Sequence, residues 1–272
     1  MTAAVSYLYG VVAVHTGLYD MVAVLRGIAD APVRLVPDED ENLAAIVSSV
    51  PAGDFEEAPL AAHLEDLDWL EAVARAHHRV IDAMAAQTTV LPLRLATIYR
   101  DDDRVRAMVR AARRAFAHRL AHLAGRVEWG VKIYFDPPAA PAASTAAAPA
   151  ADLSPGRAYL RSRHQERHAR QDAYRAAEQA AQRVEAAACA LAVEHARHRL
   201  QQGPLAHGSG ENIVNNAYLV PDDQAQDFKD AVQRAAEQSE IIRVEITGPW
   251  APYSFAASGQ DEPGEKSEEA IT

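Results

Sequence analysis

The amino-acid sequence predicts an α+β fold of two domains, and a weak internal repeat that two similar units or chance would explain. Three observations lead there. Stretches rich in Val, Ile and Tyr read as strands: "VSYLYGVVAV", "RVEWGVKIYF" and "IIRVEITG". Long segments between them carry apolar residues at helical spacing. A strand, an Asp-rich helix start, a helix and an "RVE" strand occur twice, as "YRDDD…RVEWG" and "VPDDQ…RVEITG".

Val5 to Val14 is apolar on both faces, which predicts a central strand. "VRLVPDEDENLAAIVSSV" reads as a hairpin, with Pro37-Asp38-Glu39-Asp40 as its turn and Leu43 to Val50 returning. From about His63 to Ala86, Leu64, Leu67, Leu70, Val73, Val80, Ile81 and Met84 keep helical spacing. "TVLPLRLATIY" follows as a strand. Pro92 cannot donate to a ladder, so this strand should lie at an edge or carry a bulge. Asp101 to Asp103 suit the N-terminus of the next helix. In the strand after it, Val127, Trp129, Val131, Ile133 and Phe135 share one face, which predicts half-burial.

"DPPAAPAASTAAAPA" has no periodicity and reads as a linker or surface loop. Ser154-Pro155 should open a long helix, and Gly203-Pro204 should close it. Tyr174, Ala177, Ala181, Val184, Ala188 and Leu191 form a narrow stripe of small residues, the pattern of close coiled-coil-like packing. "RSRHQERHARQD" before it has almost no apolar face, so it projects into solvent or meets a polar partner. "ENIVNNAYLV" is a strand, and the segment from Pro221 to Gln238 is an amphipathic helix carrying Phe228 and Val232. Ile242, Val244 and Ile246 alternate in the last strand. The tail after Ala256 has too little apolar content to fold.

Composition narrows the function. The 272 residues are 49% hydrophobic with a formal charge of -11, as in a soluble globular protein. That balance argues against wholesale nucleic-acid binding. Cys189 has no partner for an intramolecular disulfide, which fits a reducing, cytoplasmic setting. The N-terminus lacks the basic region of a signal peptide, and no apolar stretch is long enough for membrane insertion. Residues 156–203 hold an excess of basic over acidic residues, and the tail the reverse. Such a basic stretch attracts an acidic partner or is a solvated helix face.

No catalytic residue is legible. The phosphate-loop, dinucleotide and nucleophile-elbow motifs are absent. His118/His122, His164/His168 and His195/His198 have spacings that could place two imidazoles on one metal, but none has a third ligand in motif spacing. Solvated helix histidines are the expected reading. One of His77-His78 should face the core edge. Cys189 reads as a small core residue. No cofactor, metal or enzymatic activity is therefore expected.

The segment after the last strand is unusual. The chain has only 6% aromatic residues, yet "GPWAPYSF" holds Trp250, Tyr253 and Phe255. Pro249 and Pro252 stiffen it and Gly248 permits a sharp turn. The three aromatics should lie back over a sheet face or the long helix as a lid, with Trp250 in the core. The other reading is an exposed aromatic platform for a partner. These three residues, with Arg161, Arg163 and Arg167 of the basic stretch, are the candidate protein-interaction residues.

Four stretches together resemble the gas vesicle protein GvpF/GvpL family: "YLYGVV", "VLPLRLATIYRDDDRV", "EWGVKIYF" and "NAYLVP…VEITGPWAPYSF". Leu95 stands where many members carry Phe. The resemblance implies a non-enzymatic accessory or minor protein of gas vesicles, in contact with the main shell protein and other accessory proteins during assembly. It also implies a second domain related to the ferredoxin-like fold. The expected organisation is an N-terminal α+β domain over 1–136, a Pro/Ala linker over 137–151, a C-terminal ferredoxin-like domain with the long helix over 152–255, and a disordered acidic tail over 256–272. The competing readings are a small-molecule-binding regulatory module, since ferredoxin-like sheets often host ligands, and a metal-dependent enzyme using the histidines.

Overall fold

A computed structural model of the chain describes residues 3–40, 42–55, 57–63, 65–136, 155–200 and 210–256. The expected linker, the acidic tail and the Gly203-Pro204 helix stop lie outside them. The chain divides into two compact units, Met1–Val127 with Trp250–Thr272, and Glu128–Pro249. The expectation ended the first domain at Asp136. The division falls earlier because the strand Arg126–Phe135 is hydrogen-bonded into the second unit's sheet.

The first unit holds strands β1 (Ala4–Ala13), β2 (Val33–Pro37), β3 (Leu43–Pro51) and β4 (Val90–Tyr99) in the order β2-β3-β1-β4. All three pairings are antiparallel. β1 is central, as its two apolar faces require. The β2–β3 turn is made by Asp38, whose Oδ1 accepts from the N–H groups of Asn42 (2.9 Å) and Leu43 (3.2 Å). An Asp side chain closing its own turn is the reason this residue type sits there.

β4 is an edge strand and is also bulged, so both expectations for Pro92 hold. Leu8 pairs with Thr97, but Gly10 pairs with Pro92. A Cβ at position 10 would come within 2.8 Å of the Leu91 carbonyl oxygen, so only glycine lets the strands close here. On the β3 side the register also shifts between Leu8 and Gly10, leaving Tyr9 as the extra residue.

Helices cover both faces of this sheet. Between β1 and β2 runs α1 (Leu18–Ala23); after β3 come α2 (Ala52–Phe55), α3 (Glu57–His63) and α4 (Leu67–Ala85). Asp66 caps α4, its side chain accepting from the N–H groups of Asp68 and Trp69. Val73, Ala76, His77, Val80, Ile81 and Met84 form its buried face, against Tyr7 and Tyr9. α5 (Asp102–Leu123), capped by Asp101, takes the opposite face. There Asp102 accepts from Ser6 (2.6 Å) and Arg34 (2.7 Å). Alternation along β1 sends Ser6 and Tyr7 to these two different layers.

The second unit holds β5 (Arg126–Phe135), α6 (Pro155–Cys189), β6 (Glu194–Arg197), β7 (Glu211–Pro221), α7 (Ala225–Ala236) and β8 (Ile242–Trp250), with strand order β6-β7-β5-β8. Ala177, Ala180, Ala181, Val184 and Ala188 of α6 are buried, and α6 packs on α7, whose buried face is Phe228, Val232 and Ala235. The stripe of small residues thus has its partner. On the face of β5 expected to be buried, Trp129, Val131, Ile133 and Phe135 are buried; on the other, Gly130 and Lys132 are partly exposed, while Glu128 and Tyr134 are buried as well. Tyr134 is buried beneath the Arg243 guanidinium, 4.2 Å from the ring centroid.

Two expectations need correction. The long helix does not run to Gly203; it stops at Cys189, and 194–197 form β6 on β7. The Val193 N–H bonds the Leu219 carbonyl (2.8 Å), and Glu194 to Arg197 pair with Leu219 to Asn216. Cys189 is consequently exposed rather than a core residue. The repeat is also framed differently. β4 and β5, the strands of its first copy, lie in different sheets. What recurs is the whole strand permutation, β2-β3-β1-β4 in one unit and β6-β7-β5-β8 in the other.

Candidate protein-interaction site

The aromatic segment belongs to the first unit. Tyr253–Ala256 forms a single-turn helix, α8, packed on β4 of the first unit. Ala251 and Pro252 are buried. Phe255 has 0% exposure and is the residue that anchors the segment. Its carbonyl accepts a hydrogen bond from the Arg119 guanidinium of α5.

Trp250 departs from the expectation: it is 43% exposed, not core. The physical reason is its place before the buried Ala251-Pro252 step, which leads inward. Phe255 beyond that step fills the interior, so Trp250 is left at the rim. It is nevertheless not loose. The Trp250 ring lies 6.0 Å from that of His78, and Tyr253 stacks on His78 at 5.4 Å and 11°. His78 Nε2 is 3.6 Å from Asp82 Oδ2 one turn further along α4. A half-exposed indole on a fixed base is the arrangement that suits an interface anchor.

Behind the surface the row continues inward. His77, 3% exposed, lies 6.2 Å from Tyr253 and 5.8 Å from Tyr7, centroid to centroid. His77 is thus the member of the pair that faces the core, and His78 the one that faces outward. The Tyr7 hydroxyl is 3.0 Å from His77 Nδ1 and accepts the Ala96 N–H at 3.0 Å. That N–H belongs to the β4 bulge, where Ala96 has φ 61° and a ladder partner is lost. Tyr9 does the same work on the other side. Its hydroxyl donates to Ser48 Oγ (3.1 Å) and accepts the Ile28 N–H (2.9 Å). Two tyrosine hydroxyls therefore satisfy backbone groups that irregular chain leaves unpaired.

Burial sets the protonation states. It pushes the Tyr7 and Tyr9 hydroxyls well above the ordinary phenol value. It pulls His77 down to about 4, with the neighbouring His78 adding to the effect and the Leu93 backbone opposing it. His77 is neutral at neutral pH. The Tyr7–His77 hydrogen bond takes its direction from the His77 tautomer, since a hydroxyl that accepts the Ala96 N–H can still donate or accept once more.

Arg161, Arg163 and Arg167 are exposed on α6 of the second unit, in the stretch that shows no apolar face. Among the described residues no group of three or more His, Cys, Asp or Glu side chains is arranged to hold a metal ion. No described helix is long and apolar enough to cross a membrane. Sequence reasoning found the aromatic segment but missed Tyr7, Tyr9, Ser48 and Ala96. The two tyrosines of "YLY" were its only trace.

The fold is shared with solved structures. The crystal structure of gas vesicle protein GvpF from Microcystis aeruginosa superposes with a TM-score of 0.62 at 21% identity, covering 94% of this chain and 99% of that one. That of GvpF from Anabaena sp. PCC7120 gives 0.65 at 20% identity, over 96% and 100%. At sequence level, gas vesicle protein L of Streptomyces sp. (strain CB03234) is 42% identical over 267 residues, 98% of each chain. Gas vesicle protein F of the same strain is 28% identical over 253 residues, 92% of this chain and 98% of its own. The family model for gas vesicle synthesis protein GvpL/GvpF matches residues 5–257. The chain belongs to the GvpL/GvpF family of gas vesicle proteins.

Proposed function

We propose that this protein is a non-enzymatic accessory protein of gas vesicles, working in the cytoplasm and at the vesicle, that binds the main shell protein and assists assembly with other gas vesicle proteins. Family membership supports the gas vesicle role. The observation that carries the binding surface is Trp250. It is 43% exposed, yet set against the His78 ring, on which Tyr253 also stacks, on an anchored segment. A large apolar ring held at the surface loses little entropy on binding and offers an apolar partner a rigid contact. The shell protein, which the family resemblance describes as small and hydrophobic, fits that surface. Arg161, Arg163 and Arg167 are proposed as a second contact, for an acidic partner. We also read the second unit as ferredoxin-like, supported by its β-α-β-β-α-β element order.

Co-purification of the shell protein with wild-type and Trp250→Ala protein tests the reading. Association that weakens at least tenfold in the variant supports it. Equal recovery with both proteins removes Trp250 from the interface, and no association with wild type removes the shell protein as partner.

A further inference from the structure

One stretch of α6 brings two histidine side chains together outside the aromatic site. His164 and His168 stand one turn apart, their ring centroids 4.3 Å apart and their Nε2 atoms separated by 3.3 Å. We propose that this pair is a bis-imidazole site for a borderline divalent cation of the zinc, nickel or copper class.

The distance carries the argument. Two nitrogens each bonded at about 2.0–2.1 Å to a tetrahedral zinc stand about 3.3 Å apart. The pair therefore already has the bite of a chelated ion. The i,i+4 spacing is what produces it, since those positions are neighbours on a helix face. His195 and His198 lose that relation because His195 lies in the strand Glu194–Arg197 and His198 just beyond it, not on a helix.

The surroundings set the kind of site. Both histidines are exposed, so a cation enters without unfolding the helix. No third ligand joins them among the described residues, so water or a donor from another molecule completes the coordination shell. Imidazole favours zinc, copper and nickel over the oxygen-seeking magnesium and calcium. Arg161, Arg163 and Arg167 on the same helix weaken the pull on a cation. Asp172, one turn beyond His168, opposes them, though it is shared with Arg175 at 3.4 Å. The site is thus weak and exchangeable, suited to bridging rather than to holding the fold.

Calorimetric titration of the full-length protein with zinc and with nickel tests this. Wild type and His195→Ala should each bind one equivalent that magnesium does not displace. His164→Ala and His168→Ala should each lose it, or bind at least tenfold more weakly, with unchanged circular dichroism. Absence of zinc and nickel binding to wild type overturns the proposal and leaves the contact as an N–H···N hydrogen bond. Wild-type binding by both single variants overturns it equally.

Discussion

The Tyr7 hydroxyl sits 3.0 Å from His77 Nδ1, joining the central strand to the helix that covers it. The same hydroxyl holds the Ala96 N–H of the β4 bulge at 3.0 Å. One atom thus satisfies two buried groups from elements far apart in sequence. Tyr7→Phe keeps the ring and strands both groups. A buried polar group left without its partner costs about 1–3 kcal/mol. Urea denaturation should show a loss of about 2 kcal/mol or more, where a loss under about 0.5 kcal/mol would mean water replaces the hydroxyl.

Acid should weaken the fold through His77. Its folded value is about 4, against an ordinary 6.5. Above 6.5 neither state binds the proton, and this group leaves stability unchanged. Between 6.5 and 4 the unfolded chain binds it and the folded chain does not, so stability falls as pH falls. The gap corresponds to about 3 kcal/mol at full extent. His77→Gln keeps a hydrogen-bonding partner for Tyr7 and cannot titrate. Denaturation midpoints measured from pH 7 to pH 4 should fall more steeply for wild type than for this variant; parallel curves would refute the assignment.

Phe255 and Trp250 should respond oppositely to truncation. Phe255 is fully buried, and emptying such a site costs about 3–5 kcal/mol. Trp250 is 43% exposed, so Trp250→Ala should cost under about 1 kcal/mol, the range of surface changes. Chemical denaturation of the two single variants checks this contrast, and similar losses at both positions would contradict it.

Gly10→Ala should be poorly tolerated although it adds one methyl group. The new Cβ would come within 2.8 Å of Leu91 O, 3.1 Å of Val90 Cγ1 and 3.2 Å of Ile81 Cδ1. Backbone on one side and a packed helix on the other leave little room to yield, and overpacking of this kind costs about 1–3 kcal/mol. A melting temperature equal to wild type would show that the bulge can open.

Local pattern alone determined most of the elements. β1, the β2–β3 hairpin, α4, α5 and α7 were legible because apolar period and capping residues such as Asp101 act within a few residues. The edge position of β4 was legible in Pro92, because a missing N–H has only a few permitted places. The sequence also carried the family in its four motif stretches. The tertiary structure decided the rest. Glu194 to Arg197 leave the helical register because β7 offers Asn216 to Leu219 as hydrogen-bond partners, a contact with no local signal. Tyr9 shares a layer with Tyr7 by ordinary alternation, but the register slip beside it puts Val12 rather than Val11 into the same core, because one extra residue changes which face everything beyond it meets. Trp250 and Phe255 are chemically alike in sequence. Their fates diverge because burial depends on the surface that α8 meets on β4, α4 and α5, and that surface is assembled from segments remote in the chain.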